Sequence, residues 1–242
     1  MEKPFSIVIP CYNKEESIGR CLQSLISQTY GDFEAIIIDD GSTDGSREVI
    51  KSFLKDGRFK AYFMPGNHGR LMARNLGMRM ARNEWICWLD ADDEYSSMYL
   101  ELYAKAIDEN PDYKIFNSGM FIHNKGYDGY RIIEPFNPGK DKVGMKTFGK
   151  GNIGAGSFVF HHSLRWYFPE GVLNPYGIEN TFPGKLVEFD KIFLEICEKN
   201  EEGHWLPLGN PWGDDYVYFW YITRQTQSKT INTILYTQHI KD

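Results

Sequence analysis

An excess of basic charge, a metal-binding cysteine pattern, a long apolar run and an internal repeat are all missing from these 242 residues. Lys and Arg number 27 against 33 Asp and Glu, a formal charge of −6, so the chain lacks the cationic footprint that phosphate-backbone binding needs and nucleic acid is not an expected partner. The same balance gives no net attraction to an anionic membrane surface. The four cysteines, Cys11, Cys21, Cys87 and Cys197, lack metal-ligand spacing. Cys11 and Cys87 lie in or beside apolar runs and read as reduced core thiols, which fits a cytoplasmic protein. No stretch approaches the length of a membrane-spanning helix. Met1-Glu2-Lys3-Pro4 runs straight into a strand-like segment, without the basic start and apolar stretch of a secretory leader.

What is present is ordinary globular composition, 42% hydrophobic and 25% charged, with a high aromatic share of 15% concentrated after residue 85. Aromatic surplus is usually core, but it also suits stacking on nucleobases and sugar rings. The length fits one large α/β domain with appended elements.

In the first half short apolar runs alternate with amphipathic ones, the pattern of βαβ units and a mainly parallel sheet. Phe5 to Ile9, Phe33 to Ile38, Phe59 to Met64 and Trp85 to Leu89 read as strands. Between them, Glu15 to Gln28, a segment ending near Leu54, and Arg70 to Arg82 read as helices. In the first helix Ile18, Cys21, Leu22, Leu25 and Ile26 define one buried face. A helix over Ser97 to Asp108 and a strand over Lys114 to Ser118 follow. Gly and Pro then become frequent from Gly126 to Gly156, a functional excursion in which Ile132, Phe136 and Phe148 still have to be buried. Further helices are expected at Leu186 to Lys199 and Asp214 to Thr223, and a β-rich run at Lys229 to Tyr236.

The chemistry gathers at strand ends. Asp39 and Asp40 close the second strand, and Asp90, Asp92 and Asp93 follow the fourth. Carboxylates crowded at the mouth of a sheet repel one another unless a cation or hydrogen-bond donors compensate. Asp-x-Asp after a strand offers two oxygen ligands on a turning chain, a grip for Mg²⁺ or Mn²⁺ whose other ligands are substrate phosphates. The plain alternative, turn formers and helix caps, suits Asp44 and Asp93 best. Between the acidic groups, Asn67 to Asn75 opens a helix and carries Arg70 and Arg74. A helix N-terminus beside two arginines is an anion site; on spacing alone, a solvated helix with exposed arginines explains the segment equally well.

Taken together, Ser6-Ile7-Val8-Ile9-Pro10-Cys11-Tyr12-Asn13, Asp39-Asp40-Gly41-Ser42-Thr43-Asp44, Gly69 through Ala73-Arg74-Asn75-Leu76-Gly77, and Leu89-Asp90-Ala91-Asp92-Asp93 resemble the motif series of the family two inverting glycosyltransferases. The resemblance covers about the first 110 residues. It implies a GT-A fold: a Rossmann-like α/β, mainly parallel sheet with helices on both faces and a smaller acceptor-side region. Residues 1–110 would be the donor half and 111–242 the acceptor and catalytic-base half of one continuous domain. It implies that Asp40 recognises the nucleobase, that Pro10 and Tyr12 line its pocket, that Arg74 lies near the diphosphate, and that Asp92, with Asp90, holds Mn²⁺ or Mg²⁺. Trp212-Gly213-Asp214-Asp215-Tyr216 looks like the family's acidic motif, with Asp215 as general base and Asp214 where Glu is more usual. Glu179, in Gly177-Ile178-Glu179-Asn180, is the competing match. Gly154 and Ala155 resemble an acceptor-side loop, and Trp212, beside the acidic motif, is a candidate stacking platform for an acceptor sugar. His239 falls where some relatives supply a further metal or phosphate contact; a lone surface histidine is the plainer reading.

The activity implied is transfer of a sugar from a nucleotide-sugar donor, UDP-sugars foremost, to a glycan or lipid-linked acceptor in surface polysaccharide (capsule, exopolysaccharide or O-antigen) synthesis. A lipid-linked acceptor would be met by peripheral contact at the inner face of the membrane. A sugar-phosphate nucleotidyltransferase would need a Gly-rich basic phosphate loop after the first strand, where Pro10-Cys11-Tyr12-Asn13-Lys14-Glu15-Glu16 stands instead. A degenerate, non-catalytic sugar-binding module remains the second alternative.

Overall fold

The computed structural model describes residues 3–124, 130–133, 155–165, 197–199, 205–207, 226 and 228–240. In chain order these form β1 (Phe5–Cys11), α1 (Glu15–Ile26), β2 (Phe33–Asp39), α2 (Ser46–Phe53), β3 (Phe59–Phe63), α3 (Arg70–Met80), β4 (Trp85–Trp88), β5 (Glu94–Tyr95), α4 (Tyr99–Glu109), β6 (Ile115–Asn124) and β7 (Tyr130–Ile133). After a short 3-10 turn at Ala155–Ser157 come β8 (Phe158–His161), β9 (Cys197–Lys199), β10 (Trp205–Pro207) and β11 (Ser228–Ile240).

The main sheet has the order β3-β2-β1-β4-β8-β6-β11-β5, with β7 paired to β6. The first half is parallel, as the alternation of strand and helix requires: β1 lies between β2 and β4, with Phe5 opposite both Phe33 and Trp85. Beyond β4 the sheet turns mixed, because β8 runs antiparallel to both β4 and β6. The long β11 then lies parallel to β6 and antiparallel to β5.

Every residue of β1 and β2 is buried, which explains why both are too apolar to alternate. Phe5, Ile7, Ile9 and Cys11 pack into one core with Ile18, Cys21, Leu22 and Leu25 of α1 and with Tyr99, Leu100 and Tyr103 of α4. The opposite face belongs to α3. Gly77 lies against β1 and β2 there, and a Cβ on it would stand 2.3 Å from Val8 Cγ1. Helices therefore cover both faces, as the doubly wound pattern predicts.

Complete burial pushes the Cys87 thiol up to about 12, and burial with the nearby Asp39 charge does the same for Cys11, so the expectation of inert core thiols holds for both. Three local expectations need correction. Ile26 closes α1 beyond the last covered turn and is 36% exposed. Ile132 is 53% exposed, and among the described residues β7 has a strand partner on one side only. Cys197–Lys199, expected to end a helix, is a strand that pairs antiparallel with β10, a tertiary contact overriding local propensity. The remainder of that helix and the one expected over Asp214 to Thr223 lie outside the described residues, as do Phe136 and Phe148.

Because Val8 cannot retreat from a sheet covered on both faces, Gly77→Ala should cost about 1–3 kcal/mol of stability by overpacking. Urea unfolding of the variant checks this, and an unchanged midpoint would contradict the tight contact of α3 on β1.

Candidate active site

The parallel strands end level with one another, Cys11 opposite Asp39, and the loops that leave them are stitched together. Asn13 takes a left-handed φ of 51°, a conformation Asn tolerates better than most residues. From there its N–H donates to Ser42 Oγ at 2.9 Å and its side-chain oxygen accepts from Thr43 N–H at 2.8 Å. The N–H of Lys14 donates to Ser46 Oγ at 2.7 Å. Asp44 accepts from Glu15 N–H and Ser46 N–H, the first residues of α1 and α2, so it is a turn former that ties the two helix starts together, while Gly45 holds the cap position of α2. The turn-rich segment after β2 is thus a clamp on the loop after β1.

Asp40 extends this clamp to α3. Its carboxylate accepts from the N–H of His68 at 2.7 Å and of Gly69 at 2.8 Å, and burial raises it above the ordinary carboxylate range against the pull of those bonds. Gly69 donates from a φ of 91°, which an L side chain would strain, and α3 begins at the next residue. Asp39, fully buried, is paired instead with Arg47 Nε at 2.6 Å.

After β4 the chain turns, Asp93 N–H donating to Asp90 C=O at 2.9 Å, and the three carboxylates diverge. Asp90 Oδ1 meets Arg74 at 2.8 Å. Arg74 is wholly buried, its guanidinium 4.6 Å from the Trp88 ring, so the solvated-helix alternative for α3 falls at this residue. Asp92 pairs with Lys14 Nζ, and its carbonyl accepts from Arg20 at 2.9 Å. Asp93 points the other way, accepting from Tyr236 Oη and, at 2.8 Å, from His239 N–H. It is an anchor for β11 rather than a helix cap.

A cavity of about 420 Å³ opens at these strand ends, lined by Pro10, Cys11, Tyr12, Lys14, Asp40, Asn67, Gly69, Arg70, Ala73, Asp90, Ala91 and Asp92. Five of the sequence-predicted residues, Pro10, Tyr12, Asp40, Asp90 and Asp92, meet there. Arg74 supports Asp90 from within the protein, and Arg70 and Lys14 are the cations on the wall. Sequence reasoning assigned Lys14 no role, because its partner lies 78 residues away. Asp214, Asp215, Glu179, Trp212 and Gly154 lie outside the described residues. Ala155 opens the 3-10 turn whose next residues, Gly156 and Ser157, accept from Tyr99 and Tyr103 hydroxyls at 2.8 and 2.7 Å.

Among the described residues no group of three or more His, Cys, Asp or Glu is arranged to hold a metal ion. The two carboxylates Asp90 and Asp92 nevertheless fit a hard divalent cation of the kind that takes one or two protein oxygens and completes its shell on phosphates and water. His239 is neither lone nor superficial. Its Nε2 lies 2.8 Å from Glu94 and its Nδ1 3.2 Å from His123, and burial, followed by the charge of Arg20, holds it below the ordinary histidine value.

The family model described as glycosyl transferase family 2 matches residues 6–168, and the chain belongs to that family. Glycosyltransferase GlyA of Streptococcus pneumoniae is 31% identical over 134 residues, which are 55% of this chain and 19% of that protein. The putative glycosyltransferase EpsH of Bacillus subtilis is 37% identical over 128 residues, 52% of this chain and 37% of that one. S. aureus TarS 1-349 in complex with UDP-GlcNAc superposes with a TM-score of 0.67 at 17% identity, over 99% of this chain and 59% of that one. That likeness gives the fold, GT-A. The chain spans well under half the length of these curated relatives and about three fifths of TarS 1-349.

Burial, then the charges of Asp90 and Asp92, raise the Asp93 carboxyl well above its ordinary range, while the bonds from Tyr236 and His239 oppose the shift. A carboxyl raised in the folded state contributes stability that is present below its unfolded value and lost as pH rises through the folded value. Tyr236→Phe removes a donor to the charged form and raises Asp93 further. The variant should lose about 1–3 kcal/mol at about pH 8 and less at about pH 5, read by urea unfolding. Equal losses at both would mean that Asp93 carries the same charge throughout.

Proposed function

We propose that the strand-end cavity binds a nucleoside diphosphate sugar and that the protein transfers the sugar, with inversion, to an acceptor hydroxyl. The observation that carries this is the distribution of charge along one cavity in a family 2 chain. Asp40 stands between Pro10–Tyr12 and Gly69, and Asp90 and Asp92 stand with Lys14 and Arg70. The base would lie against Tyr12, which is 40% exposed, with Asp40 accepting from its ring N–H. The diphosphate would then reach toward Asp90 and Asp92. A UDP-sugar is the donor we favour, since TarS of the same fold is described with UDP and with UDP-GlcNAc.

A divalent cation held by Asp92 and Asp90, Mn²⁺ or Mg²⁺, would neutralise negative charge on the departing diphosphate. The chain's own part is to fix the donor and to take a proton. Arg74 holds Asp90 in place, Arg70 and Lys14 face the phosphates, and Asp215 accepts the proton of the acceptor hydroxyl as its oxygen attacks the anomeric carbon. The bond from that carbon to phosphate oxygen breaks on the opposite side, with no covalent enzyme intermediate. Asp215 and its alternate Glu179 are assigned from sequence alone. The acceptor side takes in Gly154, Ala155, Trp212 and Asp214, and the acceptor is a glycan or lipid-linked sugar of surface polysaccharide synthesis met at the cytoplasmic face of the membrane. No helix among the described residues is long and apolar enough to cross a membrane.

Nucleoside diphosphate release from a panel of UDP-, GDP-, CDP- and TDP-sugars, with and without Mn²⁺, tests the reading. One donor class should turn over. Asp215→Asn should lower that turnover by roughly 10²–10⁴-fold, while Asp92→Ala should abolish the metal-dependent thermal stabilisation by donor. Donor binding without turnover in the wild type would instead identify a degenerate binding module. Full activity in Asp215→Asn would move the base to Glu179.

A further inference from the structure

Asp90 and Asp92 are neutralised by cations of two different kinds. The partner of Asp90 is Arg74, at 0% exposure and packed over the Trp88 ring. Its guanidinium keeps its charge at any working pH and is enclosed on the protein side, so this pair is permanent. The partner of Asp92 is Lys14, whose side chain is 31% exposed and lines the cavity. Its backbone is fixed: the N–H donates to Ser46 Oγ, and the carbonyl accepts from Ser17 and Ile18 N–H at 3.0 and 2.8 Å. The ammonium stands at the end of a flexible four-carbon stem on that fixed root.

That ammonium rests on Asp92 Oδ2, the carboxylate a divalent cation would share with Asp90. An ammonium and a divalent cation on one carboxylate repel each other, so occupation by one opposes the other. Arg20 does not compete in this way. Arg20 meets the Asp92 carbonyl and the Glu94 carboxylate, 2.9 and 2.7 Å away, not the Asp92 side chain.

We propose that Lys14 is an exchangeable counter-ion, which holds Asp92 in the absence of metal and moves to the donor diphosphate when metal and nucleotide enter together. This rests on the donor-site reading above. Lys14 then lowers the affinity of the ligand-free protein for metal, gives a binding contact to the diphosphate, and makes metal and nucleotide binding mutually dependent. By linkage each ligand strengthens the other by the same factor. The metal is thereby recruited with the donor rather than ahead of it.

The test is Mn²⁺ binding, followed by its electron paramagnetic resonance signal, to wild type, Lys14→Met and Lys14→Arg, without and with UDP. Without UDP, Lys14→Met should bind Mn²⁺ about tenfold more tightly than wild type, and Lys14→Arg should stay close to wild type. The factor by which UDP tightens Mn²⁺ binding should shrink by a similar amount in Lys14→Met. Thermal unfolding confirms that each variant is folded, and Lys14→Gln carries the same expectation if Lys14→Met is not. Wild type with coupled Mn²⁺ and UDP binding, alongside a Lys14→Met variant of unchanged metal affinity and coupling, would overturn the role of Lys14 and leave the donor site standing. Wild type that binds neither would overturn both.

Discussion

Five aspartate carboxylates, Asp39, Asp40, Asp90, Asp92 and Asp93, are brought to one end of one sheet by the parallel register of β1, β2 and β4. Like charges so gathered raise the cost of folding unless each is given a partner. Each has one, and the partners come from four elements: Arg47 of α2, the N–H groups leading into α3 and Arg74 within it, Lys14 at the head of α1, and Tyr236 of β11. The neutralisation of this acidic cluster is therefore also the wiring of the fold. A helix or strand that lost its place would leave a carboxylate unpaired.

The wiring explains why the acidic run after β4 faces two ways. Asp90 and Asp92 line the cavity, and Asp93 reaches into the protein to β11. Tyr236, which holds Asp93, also packs against Gly156, where a Cβ would stand 2.3 Å from its ring. Gly156 is held in turn by Tyr99. One buried tyrosine thus joins the acidic run after β4 to the turn that opens β8.

Much of this architecture is legible in the residues themselves. β1, β2 and β4 announce themselves as mainly apolar runs because both faces are covered, and α1 shows its spacing because only one face is. The acidic groups and the turn after β2 stand out because their side chains cannot be buried without a purpose. What stays illegible is pairing across distance. Asp93 meets Tyr236 143 residues away, and β8 enters the sheet between β4 and β6 against chain order. The two residues of β5 are too few to carry a periodicity. Arg74 and Arg70 look alike in sequence, and only the packing of α3 sends one under Asp90 and the other to the cavity wall.

The central claim is that the balanced acidic cleft is a donor site, and a crystal structure of the protein grown with UDP and Mn²⁺ tests it most directly. The account predicts a uracil ring between Tyr12 and Asp40, a diphosphate near Arg70 and Lys14, and a metal peak shared by Asp90 and Asp92. A nucleotide ordered elsewhere on the protein, with the Asp92–Lys14 pair intact in the cleft, would contradict it.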